Sequence, residues 1–202
     1  MIKLADKNIQ EDDVSELISW LASTDRYTKG EQTVKFEQEW SDWQGCKYSV
    51  FVNSGSSANL LAVASLLYSG RLRNNKIIVP AVSWVTTVSP AIMLGLEPIL
   101  CDADKNNLGL SLDDFELLCR EHRPAAVMLV HVLGHANHMS QILHICKKYD
   151  VLLIEDTCEA HGSTYQGKKL GNFGIAVVFA LTTLGLVVVF FVVVVIIFKS
   201  EC

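Results

Sequence analysis

Two adjacent acids, Glu155 and Asp156, end the apolar run Val151–Ile154, and a third acid, Glu159, follows just before Ala160-His161-Gly162. A short unbroken apolar run reads as a strand covered on both faces, as in a parallel sheet. Ligand chemistry in open α/β sheets sits just beyond the carboxyl ends of the strands, which is where this reading puts Glu155 and Asp156. A carboxylate in such a crevice can do work that a surface carboxylate cannot. The second candidate is Asn53-Ser54-Gly55-Ser56-Ser57-Ala58-Asn59, set between a short strand and an apolar helix. The first amides of a helix have no intrahelical acceptor and its dipole favours anions there, so this turn suits a phosphate or carboxylate. Gly55 lets a ligand approach the backbone, while Ser56 and Ser57 add hydroxyl donors. The same residues are ordinary N-caps, and the sequence leaves both readings open. Trp84, just past another strand end, is either packing or a flat surface for a planar ligand.

These residues need a frame. An amphipathic helix is expected over 11–24, with Val14, Leu17, Ile18 and Leu21 on one face, and a second over 31–43, stopped by Gly45. Strands are expected at 48–52, 76–80, 97–102, 125–132 and 151–154, and helices at 60–68, 112–121 and 139–149. The alternation, with no internal repeat or low-complexity linker, gives an α/β fold: a mainly parallel sheet flanked by helices in one domain.

Composition narrows the partners. A net charge of −5 over 202 residues gives no reason to expect nucleic acid or an anionic membrane. The six cysteines show neither a CxxC pair nor zinc spacing, and read as reduced, mostly buried thiols of a cytosolic protein. His131, His135 and His138 share a Gly-containing loop without an acid at ligand spacing, so they read as loop or core histidines and no metal is expected. The polar, acidic N-terminus is not a signal peptide, and a cytoplasmic location is expected.

Four segments in register, Asn53–Leu60, Val79–Trp84, Ile154–Gly162 and Gly167–Gly174, resemble the DegT/DnrJ/EryC1/StrS family. Its members are fold-type I, pyridoxal-phosphate-dependent sugar aminotransferases, together with related 3-dehydratases. The turn Tyr27–Gly30 also looks like the family's N-terminal region, and the resemblance covers about residues 5–174. It implies pyridoxal 5'-phosphate as cofactor, with Asp156 facing the pyridine nitrogen and Gly55, Ser56 and Ser57 holding the phosphate. Trp84 would stack on the ring, and Glu159 would approach the ring-hydroxyl side. A nucleotide-linked sugar, an amino donor such as glutamate and a homodimeric partner are implied as well. Most aminotransferases of the group resemble one another in having Gln where Glu159 stands. Glutamate there looks closer to the 3-dehydratases, which use a histidine in place of the Schiff-base lysine.

The resemblance fails after Gly174. Counted from Asp156, the family's phosphate-binding serine falls at about Ala180 and its catalytic Lys or His at about Gly185. Neither residue supplies that chemistry, and without the lysine covalent attachment of the cofactor loses its start. Ile175–Phe198 is 24 residues without a charge, long enough to span a bilayer. It reads as a truncated or frame-shifted end, as a membrane anchor, or as strands buried in the sheet. The expected organisation is a large domain over 1–174 and an apolar tail over 175–198, with no small C-terminal domain. The expected function is amino transfer to a nucleotide-linked keto sugar in cell-surface polysaccharide or deoxysugar biosynthesis. The alternatives are 3-dehydration and a non-catalytic, cofactor-binding or membrane-tethered module. A pyrophosphate-binding nucleotide domain is disfavoured by the missing GxGxxG.

Overall fold

The computed structural model describes residues 9–180 and the backbone of Val192–Val195. Helix α1 (Glu11–Ser23) begins with Glu11, Asp12 and Asp13, acids placed where the helix dipole favours them. It buries none of its residues, and Ile18 is 61% exposed. Helix α2 (Glu31–Gln44) stops at Gly45, whose φ of 80° is the left-handed turn that glycine adopts without strain.

The α/β core then alternates β1 (Val50–Val52), α3 (Gly55–Tyr68), β2 (Lys76–Pro80), α4 (Val85–Met93), β3 (Glu97–Cys101), α5 (Leu112–His122), β4 (Ala126–Val130), α6 (Met139–Tyr149) and β5 (Leu152–Asp156). A small antiparallel hairpin, β6 (Thr164–Tyr165) with β7 (Lys168–Lys169), leads to β8 (Ala176–Val178) and β9 (Val192–Val195). The main sheet has the order β1-β9-β8-β5-β4-β2-β3. Neighbours from β8 to β3 run parallel, whereas β9 is antiparallel to both β8 and β1.

Alternate residues of each strand feed different cores, which is why the strands read as unbroken apolar runs. Ile77, Val79, Met128, Ile154 and Val178 pack against Ala58, Ala62, Val63 and Leu66 of α3. Ile78, Val127, Leu129 and Leu153 pack against Phe115 and Cys119 of α5 and Met139 and Ile142 of α6. A smaller third cluster sets Val177 and Phe179 against Phe36 and Trp40 of α2.

The structure moves several sequence boundaries. β5 includes Glu155 and Asp156 as its last two residues, so the acids close the strand rather than lie beyond it. α3 begins at Gly55, which puts Ser56 through Asn59 on its first turns. α4 was not expected: Val85, Thr86, Thr87 and Val88 disfavour a helix and Pro90 lies inside it. Burial of Thr87, Pro90 and Ala91 decides the matter, because packing overrides weak propensity. β4 ends at Val130, leaving His131 just past the strand. The apolar run after Gly174 contributes β8 and the backbone of β9 to the sheet; its remainder past Ala180 lies outside the described residues. Among the described residues no helix is long and apolar enough to cross a membrane.

Candidate functional site

The parallel strands deliver their C-terminal ends to one edge of the sheet, and β1, antiparallel to β9, points the same way. Three candidate elements meet at that edge: the start of α3, the start of α4 and the end of β5.

Asp156 is 4% exposed and lies on the α3 face of the sheet, in step with Ile154. Its Oδ1 accepts the backbone N–H of Cys158 at 3.0 Å, and its Oδ2 accepts Nδ2 of Asn59 at 3.2 Å. Asn59 Nδ2 also lies 3.5 Å from Thr86 Oγ1 on the first turn of α4. The carboxylate therefore sits on a strand end, with a backbone donor on one oxygen and a side-chain donor on the other. The Cys158 thiol beside it is pushed well above the usual thiol range, first by burial and then by the negative charge of Asp156, so it stays protonated and inert.

The turn before α3 is an N-cap, one of the two readings left open by the sequence. Ser54 is the N-cap: its Oγ accepts Ser57 N–H at 3.1 Å and donates to Ser57 Oγ at 2.9 Å. Ser57 Oγ in turn donates to Asn53 Oδ1 at 2.7 Å, so the Ser57 hydroxyl is committed to the cap. The amides of Gly55 and Ser56, first and second in the helix, have no intrahelical acceptor among the described residues, the arrangement that suits an anion. A Cβ on Gly55 would lie 3.1 Å from Ala180 Cβ, so the chain leaving β8 presses directly on this turn. Thr157 fixes that approach by donating both N–H and Oγ1 to Val178 O, at 2.8 and 2.7 Å.

Trp84 is the N-cap of α4 and is 76% exposed, so it is a ring presented at the surface rather than packing. Glu159 is exposed, and its Oε2 accepts Leu133 N–H at 2.7 Å. Leu133 has a φ of 52° in the turn after β4, an unusual conformation for a branched residue. The structure thus brings Gly55, Ser56, Ser57 and Asp156 together through α3 and β5, joins the Trp84 turn to them through Asn59, and holds Glu159 on a neighbouring loop.

Glu155 is a different object. It is fully buried on the α5/α6 face, where its Oε1 accepts N–H of Phe173 (2.7 Å) and Gly174 (2.6 Å) and its Oε2 accepts N–H of Gly171 (2.8 Å). His131 Nε2 stands 3.2 Å from Oε2, while its Nδ1 faces the backbone and side-chain N–H groups of Asn137, each at 3.3 Å. That network puts the imidazole proton on Nε2, towards Glu155. His131 is thus a core histidine; among the described residues no His, Cys, Asp and Glu grouping suits a metal. Sequence reasoning put Glu155 at the ligand edge beside Asp156, where the structure instead buries it in the opposite core, and it missed Asn59. Strand alternation would have separated Glu155 from Asp156, whereas Asn59 looked like any polar residue of a helix N-terminus.

A buried acceptor for a cationic N–H, free amides for an anion and an exposed ring fit a planar, phosphorylated, protonated heterocycle. Comparison with known proteins points to the same chemistry. Residues 7–183 match the family described as DegT/DnrJ/EryC1/StrS aminotransferase. The chain is 35% identical over 161 residues to GDP-4-keto-6-deoxy-D-mannose 3-dehydratase of Yersinia pseudotuberculosis, covering 78% of this chain and 41% of that protein. It is 31% identical over 156 residues to GDP-perosamine synthase of Caulobacter vibrioides, covering 77% and 40% respectively. The solved structure of the E. coli GDP-4-keto-6-deoxy-D-mannose-3-dehydratase with bound hydrated PLP superposes with a TM-score of 0.81 at 35% identity, over 87% of this chain and 46% of that one. The chain spans about two fifths of the length of the curated relatives it matches.

Proposed function

Because the chain belongs to the DegT/DnrJ/EryC1/StrS aminotransferase family, we propose that it forms the cofactor-binding large domain of a pyridoxal 5'-phosphate enzyme acting on a nucleotide-linked keto sugar. The observation that carries this reading is Asp156, a buried carboxylate on a strand end, held by one donor on each oxygen beside a capped helix N-terminus. Pyridoxal phosphate, when bound, supplies an electron sink for bonds broken next to the sugar carbonyl. Asp156 accepts the ring N–H and keeps that nitrogen protonated. The amides of Gly55 and Ser56 bind the phosphate, and Ser57 holds their turn closed through Ser54 and Asn53. Trp84, exposed at the start of α4, would cover one face of the ring, and Glu159, held by Leu133 N–H, would approach its hydroxyl side. Position 185, where the resemblance implies a proton-transferring Lys or His, is Gly185, and it lies outside the described residues.

Amino transfer from a donor such as glutamate and removal of the sugar 3-hydroxyl use the same half-site. Glu159, in place of the glutamine usual in the aminotransferases, favours the second reaction. Titration of the purified chain with pyridoxal phosphate, followed by cofactor absorbance and tryptophan fluorescence, tests the site. Saturable binding that Asp156→Ala weakens is expected; binding indifferent to Asp156 overturns the assignment. In a full-length enzyme that carries this domain and a Lys or His at the place of Gly185, incubation with GDP-4-keto-6-deoxymannose and glutamate separates the reactions: a 3-deoxy sugar with ammonia marks dehydration, and an amino sugar marks transfer.

A further inference from the structure

We propose that Asn59 is a positioning residue for the Asp156 carboxylate and couples it to the turn that carries Trp84. The proposal rests on Asp156 as the partner of the cofactor ring nitrogen. Asn59 is 2% exposed and sits on α3 among Ala58, Ala62 and Val63, positions the core fills with small apolar side chains. Its Nδ2 donates to Asp156 Oδ2 at 3.2 Å and lies 3.5 Å from Thr86 Oγ1. Its Oδ1 is buried and has no partner among the described residues. An unpaired buried acceptor is a cost that an alanine would not incur, so packing alone does not account for an asparagine here. Turning the amide over would set Oδ1 against the carboxylate oxygen, lone pair to lone pair, so the observed orientation is the one that serves Asp156.

Geometry gives the donor its effect. The Cys158 backbone N–H fixes Oδ1 of Asp156, and Asn59 fixes Oδ2; together they set the plane of the carboxylate and leave its other lone pairs for a ligand. The same amide reaches the first turn of α4, so one side chain spaces the phosphate-binding amides of α3, the Trp84 ring and the ring-nitrogen acceptor. Asn59 acts through Asp156.

The test uses the full chain with pyridoxal phosphate labelled with 15N in the ring. Asn59→Ala should lower cofactor affinity about tenfold, as expected for one hydrogen bond to a charged group. It should also move the bound ring-nitrogen resonance towards that of neutral pyridine. Asn59→Asp, nearly isosteric, replaces the donor with a like charge and should weaken binding further. In the cofactor-free chain, the Asp156 carboxyl 13C resonance should shift in Asn59→Ala while circular dichroism stays native. Variants that lower only the melting temperature, with cofactor affinity and both resonances unchanged, would overturn the proposal. A wild-type chain that fails to bind pyridoxal phosphate overturns the assignment of the site instead; the 13C comparison then still decides whether Asn59 orients Asp156.

Discussion

Glu155 and Asp156 are neighbours in one strand, both buried and both carboxylates, yet they face opposite cores and have opposite surroundings. Glu155 meets three backbone N–H groups and an imidazole, which pin the Gly171–Gly174 segment against β5. Asp156 meets one backbone donor and one side-chain donor at the open edge of the sheet. A carboxylate surrounded by its own fold is a fastener. One with fewer donors at the end of a strand is the candidate for a binding group.

The largest expected effect breaks the first half of this contrast. Glu155→Ala strands buried N–H donors and should cost about 3–5 kcal/mol in urea unfolding, the range for removing one partner of a buried charged network. Asp156→Ala should cost far less stability, about 1 kcal/mol, while cofactor affinity falls about tenfold or more. Equal destabilisation by the two variants would erase the distinction. Glu159→Gln keeps an acceptor for Leu133 N–H, so its melting temperature should stay within the change expected for about 0.5 kcal/mol. Any effect on the ratio of amino sugar to 3-deoxy sugar should then appear without loss of binding. The smallest effect concerns His161, stacked on Phe179 with ring centroids 5.6 Å apart. Burial lowers its pKa below the usual value of 6.5, so the unfolded chain takes up the proton first. Stability is therefore present above about pH 6.5 and declines as pH falls below it, and His161→Phe should flatten that decline in pH-dependent thermal melts.

The α/β class and most elements were legible because strands buried on both faces must be apolar and amphipathic helices must repeat every three to four residues. α4 was not, since its β-branched residues and Pro90 argue for extended chain and only packing against α3 and the sheet makes it a helix. Asp156 could be singled out through its motif, but Glu155 beside it carried the same letters and a different task. Telling them apart required the face each presents, which depends on where the strand ends. The role of Asn59 depended on a contact between α3 and β5, far apart in sequence, that no local pattern encodes. The short strand Ala176–Val178 was hidden inside a longer apolar run that also suited a membrane or a damaged end.

The position of β9 bears on how the site is assembled in time. Among the described residues β1 reaches the rest of the sheet through β9, so the segment leading into the Asn53–Ser57 turn pairs with residues far later in the chain, Val50 with Val194. Such distant pairing is slow, because the long segment between the two strands must be closed into a loop before the first ladder bond forms. Asp156 can be seated by β4 and β8 well before then. Asp156 is therefore seated first, and the Asn53–Ser57 turn is tied to the sheet last.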